Sequence, residues 1–172
     1  MPKAVVKKHI EDGLLNIIRL FKEEEASKDK LTYISLKIEL PKLAMIELCC
    51  WIEDTQDKIV MRAISHSKIK GSQAEKFYKK YIKTNWSFSY KDFRKMLTHA
   101  IGERAVLDLE EKLAPEIQLL QSKLSDLKQM RDDYAHSHRP SIAAVKTPKH
   151  IYEDYFFPIF NSLKIIEDEI LR

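Results

Sequence analysis

From Ile117 the chain places Leu120, Leu124 and Leu127 at steps of three, four and three, a spacing that lines up side chains on one face of an α-helix. A stripe of that kind is stable only when it is packed against other elements. Pro115 stands just ahead of it, where a missing N–H costs nothing. Similar spacing recurs along the chain. Val6, Ile10, Leu14, Ile17 and Phe21 form one face before the charged EEEASKDK stretch. Met45, Leu48, Ile52, Thr55 and Ile59 follow Pro41, in a helix expected to start at that proline and reach Ser65. Phe93, Met96, Leu97 and Ala100 follow Ser89 and Asp92, which resemble a capping pattern, and Gly102 is expected to close that piece. Tyr152, Phe156, Ile159, Leu163, Ile166 and Ile170 follow Thr147 and Pro148, a good cap and first position, with Pro158 as the expected kink. Only three glycines and six prolines leave little material for the turns of an all-β fold. The reading is therefore all-α: one domain over residues 1–172, a bundle of about five or six helices.

One segment breaks the pattern. Ile34, Leu36, Ile38 and Leu40 alternate with polar residues in a strand-like period, yet no second segment offers a partner for a sheet. The stretch is read as an extended lead-in, strand or loop. A short helix carrying Ala74, Phe77, Tyr81 and Ile82 is expected after Gly71 and Ser72, ending at Asn85 to Ser89. A Pro-, Ser- and Lys-containing loop, RPSIAAVKTP, is expected ahead of the last helix.

Composition narrows the setting. No stretch approaches the roughly 20 apolar residues that span a bilayer, and the start shows no signal-peptide pattern, so a cytoplasmic protein without membrane contact is expected. The two cysteines, Cys49 and Cys50, are adjacent, which suits a reducing compartment and offers neither a disulfide framework nor zinc spacing. No metal and no cofactor are expected. The net charge of +4 is modest but uneven: Lys68 to Lys95 holds nine basic residues against two acids, a local balance of +7. Its aromatics, among them Phe77, Tyr81, Phe88 and Phe93, suggest RNA contact by phosphate pairing and stacking. Most recur at helical spacing, however, which favours core packing beneath a solvated lysine face. The aromatic run Tyr152 to Phe157 is likewise read as core or dimer interface.

Continuing the stripe of the long helix puts Arg131 after Leu127 and Tyr134 after Arg131, so an arginine takes a core position. Burying an unpartnered guanidinium costs several kcal/mol, so Arg131 must meet a carboxylate, line a wet cleft or face a subunit interface. Asp132, Asp133, Glu53 and Asp57 are the candidate partners. His136 lies five residues on, an offset of about 140° if the helix persists that far. The two side chains then diverge within one chain, whereas a two-fold dimer built on this helix gathers two arginines and two histidines in one groove.

The segment Arg131-Asp132-Asp133-Tyr134-Ala135-His136 resembles the signature of the HEPN superfamily, an arginine and a histidine separated by four to six residues late in a helix that precedes a final one. Asp132 also matches the polar residue that follows the arginine. The resemblance implies a HEPN-like helical bundle acting as a homodimer, with a metal-independent endoribonuclease activity or a lapsed relative of it that binds RNA, a nucleotide or a protein. It implies Arg131 and His136 as catalytic residues, Asp132 in support, and a toxin-antitoxin or defence setting with an antitoxin or neighbouring-gene partner. The chemistry is coherent. An imidazole moves protons near neutrality, and a fixed cation meets the developing phosphorane charge. Lys128, His138 and Arg139 are further candidates for RNA contact. One departure is His138, which stands where a HEPN subgroup paired with small nucleotidyltransferases carries tyrosine.

Overall fold

A computed structural model describes residues 3–26, 30–67, 71–85, 87–136 and 146–172, with the side chains of 30–35, 135 and 136 outside that description. Among the described residues the protein is an all-helical bundle with no strand. The helices are α1 (Lys8–Glu25), α2 (Lys30–His66), α3 (Ser72–Phe77), α4 (Tyr90–Ile101), α5 (Glu103–Lys112), α6 (Ala114–His136), α7 (Pro148–Ile151) and α8 (Phe157–Ile170). Wider turns of five residues, Tyr78–Ile82 and Tyr152–Phe156, follow α3 and α7.

Helix α2 is the hub, packing against α1, α4, α6, α7 and α8. Ala44, Met45, Leu48, Ile52, Thr55, Gln56, Ile59, Val60 and Ala63 are all buried, so it presents apolar surface on several sides. Around it, α1 buries Ile10, Leu14, Ile17 and Phe21, and α6 buries Ile117, Leu120, Leu124 and Leu127. Val6, expected on the α1 stripe, precedes the helix and is largely exposed. The buried residues of α1, α2 and α6 belong to one continuous hydrophobic cluster.

The region read as an extended lead-in is instead the first part of α2, which begins at Lys30 and carries Pro41 inside it. The alternation conceals a longer period. Leu36 and Leu40 stand four apart and continue through Ala44, Leu48 and Ile52, so every second member of the strand-like run extends the buried face of a helix. Leu40 is buried and Leu36 packs partly against the core. Pro41 removes one rung of the hydrogen-bond ladder without ending the helix, because its ring is itself buried and the flanking residues are anchored by packing.

Two further differences have local causes. Gly102 not only closes α4 but opens α5, which the spacing between Gly102 and Pro115 does not announce; its φ of 90° and ψ of 155° are essentially restricted to glycine. The irregularity expected at Pro158 lies just before it. The Phe157 N–H bonds back to the Tyr152 carbonyl, widening the turn immediately ahead of a residue that cannot donate. The caps behave as their sequences predict: the Ser89 hydroxyl accepts from the Asp92 N–H and the Thr147 hydroxyl from the His150 N–H, each at 3.2 Å.

The segment ahead of α1 is anchored by a buried carboxylate. Glu167 of α8, 2 % exposed, accepts from the Ala4 and Val5 N–H groups at 2.7 and 3.1 Å and pairs with Arg62 of α2. The Trp51 indole N–H donates to the Val6 carbonyl at 3.2 Å, and the Tyr152 hydroxyl donates to Glu11 at 2.8 Å. No helix among the described residues is long and apolar enough to cross a membrane.

Candidate functional site

The late part of α6 leans on α2 and on the turn that enters α4. Arg131 leaves α6 with about a third of its side chain exposed (34 %), so the cost of full burial is avoided. Its Nη2 and Nε reach the same oxygen of Asp132, Oδ1, at 3.0 and 3.2 Å. The guanidinium carbon lies 5.2 Å from the centre of the Phe88 ring, within cation–π range. Phe88 is fully buried. Its carbonyl accepts from Gln56 Nε2 of α2 at 3.1 Å, and the next residue, Ser89, caps α4. One carboxylate therefore sets the azimuth of the guanidinium and one buried ring forms its floor.

Of the four carboxylates expected as partners, Asp132 makes the ion pair. Glu53 of α2 feels Arg131 without bonding to it: burial pushes its carboxyl above the usual range and the arginine's charge pulls the other way. Asp133 accepts from Gln129 at 2.8 Å. Asp57 is held up to about 6 by burial, with Asp54 and Glu53 adding to the effect. Cys49 faces the same region from α2, but burial pushes its thiol up to about 12 against the pull of Arg131, so it is no nucleophile at neutral pH. Among the described residues no three His, Cys, Asp or Glu side chains gather as a metal site would require.

The backbone of α6 is helical through His136, which meets the condition for the offset of about 140° from Arg131. The side chain of His136 lies outside the described residues, as do His138 and Arg139 altogether. Lys128, one turn before Asp132, is exposed and lines a broad depression with Lys91, Arg94 and Glu110. Its charge also helps keep Asp92 below the usual carboxylate range, after the larger effect of the Ser89 hydroxyl.

Sequence spacing does not reveal the roles of Phe88 and Gln56. Phe88 is one of several aromatics in a basic stretch, and Gln56 sits amid the buried face of α2; only their meeting beneath Arg131 distinguishes them. Compared with protein-family models, with curated proteins and with solved structures, the chain matches none.

Proposed function

We propose that the chain is a metal-independent endoribonuclease of HEPN type, acting on RNA as a homodimer, with Arg131 and His136 as its catalytic pair. The observation that carries the reading is the state of Arg131: fixed by Asp132 and Phe88, yet open over a third of its surface at the end of a helix that runs on to His136. A purely structural arginine would be expected to lie deeper and to take more of the available acids. With the two positions on diverging sides of α6, pairing of two copies along this helix pools both residue types in one groove.

In that groove the 2′-hydroxyl of the RNA attacks the adjacent phosphorus as an imidazole accepts its proton. The bond from phosphorus to the 5′-oxygen breaks and that oxygen takes a proton from a second acid. The products are a 2′,3′-cyclic phosphate and a free 5′-hydroxyl. Arg131 meets the charge that grows on the phosphorane oxygens, and Asp132 orients it. A toxin-antitoxin or defence role in the cytoplasm, with an antitoxin encoded alongside, is the setting this activity suits.

A second reading has one observation in its favour. Asp132 already engages two nitrogens of Arg131, which offsets the charge a phosphorane would need. On that reading the chain is a HEPN-like dimer that holds RNA, a nucleotide or a protein without cutting. Incubation of wild type, Arg131→Ala and His136→Ala with mixed cellular RNA in excess EDTA, followed by end-group analysis, separates the two. Cyclic-phosphate ends made by wild type alone support the enzyme. Intact RNA throughout, with folded and dimeric protein, favours the binding module.

A further inference from the structure

The basic stretch that precedes and enters α4 divides into two populations. Phe77, Phe88, Tyr90 and Phe93 are core residues. Tyr81 is not: it stacks against His99 of α4 with ring centres 4.2 Å apart and planes 25° from parallel, while His99 itself is exposed. Beside this stack lies a pocket of about 210 Å³ between the wide turn after α3 and the side of α4, lined by Lys80, Tyr81, Asn85, Lys95 and His99 among others. That volume is below the roughly 300 Å³ at which pockets begin to take a whole drug-sized ligand, so it admits one phosphate group and the edge of what carries it.

The charges at this face are unequally committed. Lys79 is paired with Glu75 at 2.6 Å, and Arg94 is occupied by Glu103 and Glu110 at 2.7 and 2.9 Å. Among the described residues Lys80, Lys83, Lys91 and Lys95 have no carboxylate within ion-pair distance. Asp92 also lines the pocket, and its Oδ2 accepts from the Ser89 hydroxyl at 2.7 Å in the cap of α4. The lining therefore holds two ammonium groups outside any ion pair, that of Lys80 lying 4.9 Å from the centre of the Tyr81 ring, against one carboxylate that keeps its charge while accepting the Ser89 hydroxyl. The pocket and the Arg131 site are joined by a short stretch of chain: Asn85 lines the pocket and Phe88, three positions later, underlies the guanidinium.

We propose that this pocket is a docking subsite for single-stranded RNA, in which Lys80 and Lys95 take a backbone phosphate and the outer face of His99, backed by Tyr81, stacks on a base. The strand then passes over the turn at residues 87–89 toward Arg131, with Lys91 and Lys128 flanking its path. The choice of RNA rests on the ribonuclease reading; the phosphate site rests on the pocket's own charges.

Anisotropy of a labelled 12-nucleotide oligouridylate, 2′-O-methylated so that it cannot be cut, tests the assignment on the full chain. Lys80→Gln/Lys95→Gln should weaken binding by about tenfold or more and flatten the log–log salt dependence by about 0.7 for each phosphate no longer neutralised. His99→Ala should weaken it by about fivefold or more, as removal of one stacking partner does. A control with two exposed lysines removed elsewhere, Lys149→Gln/Lys164→Gln, should bind as wild type does. Circular dichroism establishes that each variant is folded. Unchanged affinity and salt slope in the Lys80/Lys95 variant, or a weakening no greater than the control's, would overturn the site. So would wild-type protein that binds inorganic phosphate but no oligonucleotide. Cleavage of unmodified RNA by the same proteins reports separately: binding abolished in the Lys80/Lys95 variant with no cleavage by any protein keeps the subsite and removes the ribonuclease reading.

Discussion

Arg131 is held by one partly exposed ion pair and one ring, which separates its functional weight from its structural weight. A partly exposed ion pair contributes at most about 1 kcal/mol and a cation–π contact about 0.5–1 kcal/mol. Arg131→Ala should therefore cost about 1–2 kcal/mol in urea denaturation, whereas a buried scaffold arginine would cost about 3–5 kcal/mol. If the proposed chemistry holds, the same variant should cut RNA about 10²–10³-fold more slowly, and His136→Ala about 10²–10⁴-fold, both in single-turnover assays. Asp57 gives a second test, in pH. Its carboxyl is raised from 3.8 to about 6, so between those values the folded chain binds more protons than the unfolded one. This residue's contribution therefore falls as pH rises through that window and remains a penalty above it. Asp57→Asn should raise the melting temperature at pH 7 and leave it nearly unchanged at pH 3. A gain equal at both pH values would assign the effect to something other than ionisation.

At the scale of elements, the entry to α4 has two duties. Ser89 caps the helix, and Phe88, its neighbour, forms the floor beneath Arg131. Ser89→Ala should cost about 1 kcal/mol, the usual worth of such a cap, and should lower RNA cleavage even though Ser89 touches neither proposed catalytic residue. Unaltered cleavage with the stability loss present would uncouple the cap from the site. The junction of α4 and α5 depends on a backbone conformation that side chains disfavour. Gly102→Ala should cost about 1–3 kcal/mol in a thermal or urea melt, although nothing beyond its own chain neighbours lies within 4 Å of the added Cβ. That expectation isolates conformational strain from steric conflict.

Across the whole molecule, Glu167 ties the N-terminal segment, α2 and α8 at one buried point. Glu167→Ala leaves two backbone N–H groups and the Arg62 guanidinium short of a partner, and should cost about 3–5 kcal/mol in urea denaturation. A loss under about 1 kcal/mol would place this anchor outside the cooperative unit. Nothing local marks Glu167 as buried, because its partners are 105 to 163 residues away in the chain. Most of the helices, the caps at Ser89 and Thr147 and the apolar stripe of α6 follow from the sequence by itself, since each depends on residues within about one turn of one another. Residues 30–40 show the limit of that reasoning. A period of two and a period of four share members there, and the absence of a partner strand among the described residues, together with the core facing Leu36 and Leu40, selects the helix. The same division runs through the candidate site. Arg131 on an apolar stripe and its spacing to His136 are legible along one helix. Its pairing with Asp132 is local too, a contact between chain neighbours. Its seat on Phe88 arises from how α6 packs on the entry to α4, and the pocket beside His99 from the turn after α3 lying against α4; packing between elements sets those distances.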